Sequence, residues 1–269
     1  MDWLSRQFST RVIALMPVAI AINIVLGYTV QSILKLPIYL DSIGTIFVGV
    51  LAGPIAGAVT GILSNLIWQV IIPGSTIGPF AVVAGVIGIL AGIWGYVGVY
   101  RRRPATGANL WLPVVIAVAA IALLALPIVN NPVYNDPGFF VPWYSTAIIV
   151  VAVALSVAVI GMAWVRKDAA PAWVAVAGAF TGVVAAILSA PIAAIVFGGV
   201  TGSGTDVIVA ALRQGGADIY QAALGQGFFS DPIDKTITSF VVFVILAGMS
   251  RRLIARFPMG ERALGPEYS

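Results

Sequence analysis

The chain has 269 residues, 60% of them hydrophobic and only 9% charged, with a formal charge of +4 and a mean hydropathy of +1.05. A soluble globule carries about 25% charged residues, so this composition excludes one and implies a polytopic membrane protein. With no cysteine and no histidine, the chain lacks disulfides, thiolate sites and the commonest general base and transition-metal ligand.

Residues 12–34 form the first apolar run, behind Arg6 and Arg11. It is longer than a signal-peptide core and lacks a small-residue cleavage site, so it reads as a retained helix, ended by Pro37. Residues 42–72 would make one helix about 46 Å long at about 1.5 Å per residue. That is too long for one straight crossing of a core about 30 Å thick and short for two. Gly53-Pro54 sits inside this stretch, where a break or tight turn is expected. Residues 79–100 follow as a span closed by Arg101, Arg102 and Arg103, and residues 110–129 make another before a polar loop at 130–142. Residues 143–165 cross again and stop at Arg166 and Lys167. A long span at 171–199 contains Pro191, an outer loop runs to about Pro232, and residues 235–249 cross last, ahead of Arg251, Arg252 and Arg256.

Charge decides the parity. If Gly53-Pro54 is a turn, the chain is an all-α bundle of about eight crossings with both termini on one side. That side holds eleven bases (Arg6, Arg11, Arg101 to Arg103, Arg166, Lys167, Arg251, Arg252, Arg256 and Arg262) and four acids. The other side holds three bases (Lys35, Arg213 and Lys235) and six acids (Asp41, Asp136, Asp206, Asp218, Asp231 and Asp234). Without the break the basic clusters no longer share a side, so the positive-inside rule favours eight crossings with cytoplasmic termini. The basic residues then report orientation and contact with the lipid bilayer, and no nucleic-acid partner is implied.

Gly49, Gly53, Gly57 and Gly61 recur every fourth residue, and Gly88/Gly92 and Gly178/Gly182 repeat the spacing. Such stripes let backbones approach closely, either inside one bundle or at a partner's face. Among the few polar residues within the spans, Asn65, Trp68 and Gln69 fall at i, i+3 and i+4 and share a helix face. Two readings stay open: an aromatic plate beside two amides that holds a small flat ligand, or an interfacial tryptophan with amides bonded between helices.

Asp41 or Ser42 can cap the helix that follows. In the outer loop, residues 206–212 and 217–224 can each form a short helix around Gly215-Gly216, and Phe228 and Phe229 supply apolar contacts. This segment is either a lid over a binding site or an amphipathic connector, and Asp234-Lys235 can simply cap the last helix. No span carries an ionised residue near its centre on this reading, which argues against an ion-coupled carrier working alone. No P-loop is present: the glycine-rich run at 198–204 lacks a following lysine. A Ser–Lys dyad would need Lys35 or Lys235, both placed at outer helix ends, so no enzyme activity is expected.

The run Leu36-Pro37-Ile38-Tyr39-Leu40-Asp41-Ser42-Ile43-Gly44-Thr45, continuing through Gly53-Pro54-Ile55-Ala56-Gly57 to Asn65, resembles the first half of energy-coupling factor (ECF) transporter S components. The run Pro232-Ile233-Asp234-Lys235-Thr236-Ile237-Thr238 before an apolar span is similar too. The resemblance covers residues 10–100 and 172–256 and implies a six-helix core, with residues 110–166 as an inserted helical hairpin and 200–233 as an outer loop or lid. The whole, 1–269, is then a single integral membrane domain. S components bind a vitamin or similar micronutrient from outside, without a cofactor. They deliver it with a transmembrane coupling protein and two ABC ATPase subunits.

Carried onto this chain, the resemblance points to Tyr39, Asp41, Asn65, Trp68 and Gln69, and to Asp206, Arg213, Phe228, Asp234 and Lys235 of the lid, as ligand-binding positions. Arg213, Lys35 or Lys235 can pair with one carboxylate or phosphate of a ligand. For docking on the coupling protein it points to Ala14 and Ala21, although Val18 interrupts an Ala-x-x-x-Ala pair. The implied location is a bacterial plasma membrane. The alternative is a membrane sensor or scaffold working with a partner protein, a style of sequence shared by multi-helix sensor modules of bacterial histidine kinases.

Overall fold

The computed structural model describes residues 3–130 and 143–265. The polar loop expected at 130–142, Asp136 included, lies outside the described residues apart from Asn130. The described chain is helical without strands, and an isolated antiparallel bridge joins Pro104 to Asp168.

A short α1 (Trp3–Gln7) leads into α2 (Thr10–Tyr28), which widens into a π turn at Thr29–Ile33. The helices α3 (Ile43–Ala52) and α4 (Pro54–Ile71) meet at Gly53, whose φ of +116° is a conformation that favours glycine. Pro54 then starts α4 where its missing N–H costs nothing. Gln7 completes the corner: its Oε1 accepts the N–H groups of Ile55 (2.9 Å) and Ala56 (3.4 Å), two donors that the first turn of α4 leaves unpaired. The break expected at Gly53-Pro54 is therefore a sharp hairpin, with Gly57 lying back against Gly49.

A 3-10 turn at Gly78–Phe80 opens α5 (Ala81–Tyr96), which runs in the groove between α3 and α4. The glycine stripes are what let it in. A Cβ on Gly88 would stand 2.2 Å from the Gly57 carbonyl carbon, and one on Gly92 would stand 2.2 Å from the Pro54 nitrogen. These stripes pack within one bundle. The pair α6 (Ala108–Asn130) and α7 (Trp143–Val165) packs on α8 (Ala170–Pro191) through Val114, Ala117, Val159, Ala163, Ala172 and Ala175. Like α2, α8 ends in a π turn, at Ile192–Val196.

A nine-residue α9 (Asp206–Gln214) precedes α10 (Ile219–Gly248), and α11 (Arg251–Ile254) and α12 (Gly260–Leu264) close the described chain. The 30 residues of α10 are the main departure from the sequence reading, which begins the last helix at Lys235. Asp218 caps α10 in a capping box with Gln221, and the helix continues through Pro232. Gly182 of α8 makes that continuation compact: a Cβ there would lie 2.3 Å from the Pro232 Cα. The expected lid is thus α9 together with the first half of α10. Asp234 and Lys235 stand inside the helix and do not cap it.

Among the described residues, four helical stretches are long and apolar enough to cross a membrane: Thr10–Ile33, Pro54–Ile71, Gly78–Tyr96 and Ala170–Val196. With 10 residues, α3 spans about 15 Å, half of a bilayer core. The basic segments gather at one end of the bundle, where Arg11 donates to the Arg256 carbonyl (3.2 Å), Arg101 to that of Arg262 (2.6 Å) and the backbone N–H of Arg103 to Asp168 (2.9 Å).

Candidate functional site

At the other end, the π turn of α2 and the segment 35–42 fold inward against α10. Lys35 and Leu40 both adopt φ of +52° to make this path. Each is a cost of order 1–3 kcal/mol that surrounding contacts must offset. Gly204 permits the first turn by resting on the Lys35 carbonyl, and Asp234 secures the second. Fully buried, Asp234 accepts the backbone N–H groups of Tyr39 (3.0 Å) and Leu40 (2.7 Å) on Oδ1. Its Oδ2 faces Lys235 Nζ at 2.5 Å. Lys235 also donates to Ser42 Oγ (2.8 Å) and pairs with Asp41 (3.3 Å). Gln31, carried inward by the π turn, donates to Asp41 (3.2 Å) and to the Tyr39 carbonyl (3.4 Å).

These groups form part of the wall of a cavity of about 310 Å³, a size suited to a small molecule. The end of α2 and the segment after it contribute Tyr28, Gln31, Lys35, Tyr39 and Asp41. Asn65 and Trp68 come from α4, Phe80 from the turn before α5, Val83 from α5, Ser189 from α8, and Gln226, Asp231 and Lys235 from α10. Trp68 packs against Gly27, with Tyr28 edge-on at 6.4 Å between centroids. The Tyr39 hydroxyl lies 2.8 Å from Gln226 Nε2, which donates to it, and 3.3 Å from Thr205 Oγ1, to which it donates. The phenol is thereby fixed at the junction of segment 35–42, α10 and the loop before α9.

Of the sequence-predicted positions, Tyr39, Asp41, Asn65, Trp68 and Lys235 line this cavity. Asp234 sits behind the wall as its brace. Gln69 points outward and holds the α4–α5 connection, accepting from Gly78 N (2.8 Å) and donating to the Ser75 carbonyl. Asp206 organises the Thr201–Gly202 loop through three hydrogen bonds, so it shapes the rim without lining it. Arg213 donates to the Ala217 carbonyl at the end of α9 (3.0 Å), and Phe228 is exposed on α10. Ala14 and Ala21 lie on the exposed face of α2. Tyr28, Ser189, Gln226 and Asp231 also line the cavity, and the sequence reading does not point to them as ligand-binding positions. The i, i+4 spacing of Asp231 and Lys235 is the signal that links them to one face, and Pro232 masks it by reading as a helix boundary.

Ser42 and Lys235 do meet, but with Lys235 donating. Its other near partners are the carboxylates of Asp41 and Asp234. The Ser42 hydroxyl therefore faces an ammonium held by two acids, which does not make a nucleophile–base pair. No group of three or more metal-ligating side chains occurs among the described residues. No protein-family profile, curated protein or solved structure matches the chain.

Proposed function

We propose that this chain is the substrate-capturing membrane subunit of an ECF-type ABC importer. It takes up a vitamin or similar micronutrient from outside and delivers it with a coupling membrane protein and two ABC ATPase subunits. The observation that carries this reading is the cavity of about 310 Å³, built by the same Tyr39-Leu40-Asp41-Ser42 and Asp234-Lys235 segments on which the resemblance rests. A cavity lined by apolar, aromatic and polar side chains suits capture, and the chain brings no nucleotide loop of its own, so ATP hydrolysis belongs to the partners.

On this reading the bundle is multi-pass in a bacterial plasma membrane, with the basic end and both termini cytoplasmic. It makes about eight crossings, and α3 completes one of them together with the inward segment 35–42. Non-helical backbone at membrane depth is tolerated where protein buries it, and Asp234 supplies acceptors for two of the N–H groups concerned. The exposed Ala14/Ala21 face of α2 is the docking face for the coupling protein.

Affinity purification of the tagged full chain from its native membrane tests the reading. A coupling membrane protein and ABC ATPases in the eluate support it. Their absence, or recovery of a sensor kinase in their place, contradicts it.

A further inference from the structure

We infer that the ligand of this cavity is a flat nitrogenous cation, of the amidine or aminopyridinium type, and that Asp231 is its counter-ion. The inference rests on the capture reading and names the chemical class captured. Its first support is a charge inventory. Around the cavity stand two buried carboxylates (Asp231 and Asp234), the half-buried Asp41 and one buried ammonium, Lys235. Lys235 is committed to Asp41, Asp234 and Ser42. Lys35 stands at the mouth, bonded to the Gly202 carbonyl, and the phenols Tyr28 and Tyr39 are the other titratable groups on the wall.

Asp231 feels the Lys235 charge but makes no ion-pair contact with it. It lines the cavity one helical turn before Lys235, only 5% exposed. Among the described residues its one hydrogen-bond donor is Ser189 Oγ, at a long 3.4 Å, and neither ion pair formed there includes it. A ligand that fills the cavity takes away the solvent contact this carboxylate has left, and a buried carboxylate requires a cation or strong donors.

One wall amide presents an acceptor and another is uncommitted. The Gln31 amide nitrogen meets two acceptors, Asp41 and the Tyr39 carbonyl. That fixes its orientation and leaves the amide oxygen as the group for a ligand. Asn65, 4% exposed and on the wall, makes no side-chain hydrogen bond among the described residues. Trp68, Tyr28 and Phe80 supply the aromatic part of the wall, matched to a flat ring whose edge carries N–H donors.

Three probes of one shape and different charge test this on the full chain in detergent, by calorimetric titration near neutral pH: benzamidinium, benzamide and benzoate. The expected result is that benzamidinium binds at least about tenfold more tightly than benzamide, and that benzoate binds more weakly than either. Asp231→Asn should abolish the preference for the cation while leaving benzamide binding in place. If that variant does not fold, the order of the three probes on the unaltered chain still decides.

Equal or tighter binding of benzamide or benzoate overturns the inference, as does a preference that survives Asp231→Asn or the failure of all three to bind. A neutral or acidic molecule retained through purification overturns this inference and leaves the capture reading standing. The capture reading fails separately, by the absence of coupling and ATPase partners.

Discussion

Asn23 shows how much one polar residue does inside an apolar bundle. It is fully buried, donates to Thr45 Oγ1 (2.8 Å) and Ser64 Oγ (2.9 Å), and accepts the Gly44 N–H (2.7 Å). It thereby ties α2 to both arms of the α3–α4 hairpin. An amide is suited to this position because it supplies two donors and an acceptor on a short stem. Asn23→Leu removes all three bonds and leaves the Gly44 N–H without its acceptor, so we expect a loss of about 2 kcal/mol. A lowered thermal midpoint in detergent, with ligand absent, reads it, and an unchanged midpoint contradicts the assignment. At this scale the sequence was informative where spacing was local. Asn65 and Trp68, three residues apart, both reach the cavity, while Gln69 turns outward to close a loop. Asp231 was legible as an acid but not as a cavity group, because its position depends on contacts between α8 and α10 that are distant in sequence.

Among the elements, small residues set how closely helices approach. The α3–α4–α5 unit depends on backbone-to-backbone contact at Gly57, Gly88 and Gly92, where any side chain would meet main-chain atoms that cannot rotate away. Gly88→Ala should destabilise the bundle by about 1–3 kcal/mol through overpacking. Gly161→Ala on α7, where a new Cβ meets nothing within 4 Å, should be neutral or gain about 0.5–1 kcal/mol of helix stability. Comparing the two thermal midpoints tests the packing account; equal effects would refute it. The helical class and the Gly53-Pro54 hairpin were legible because hydropathy runs and Gly-Pro punctuation are local signals. The length of α10 was not. Pro232 reads as a boundary in sequence, yet a proline removes only one hydrogen bond and adds a ring to accommodate. The close fit at Gly182 and the capping box at Asp218 favour continuing the helix.

The described bundle is polarised from end to end. Arginine-rich segments meet at one end, and the cavity with its buried acids and single buried lysine occupies the other. On the proposed reading the two ends divide the labour, with orientation in the bilayer set at the basic end and ligand capture at the cavity. On that reading the cavity holds a small molecule, and Trp68 is one of the aromatic residues of its wall. Native mass spectrometry of the full chain, released gently from detergent after mild purification, tests it most directly. The expected result is a small-molecule adduct on the unaltered chain whose retention weakens by about 1–3 kcal/mol in Trp68→Ala. A bare mass for the unaltered chain, or an adduct held equally well by Trp68→Ala, would contradict it.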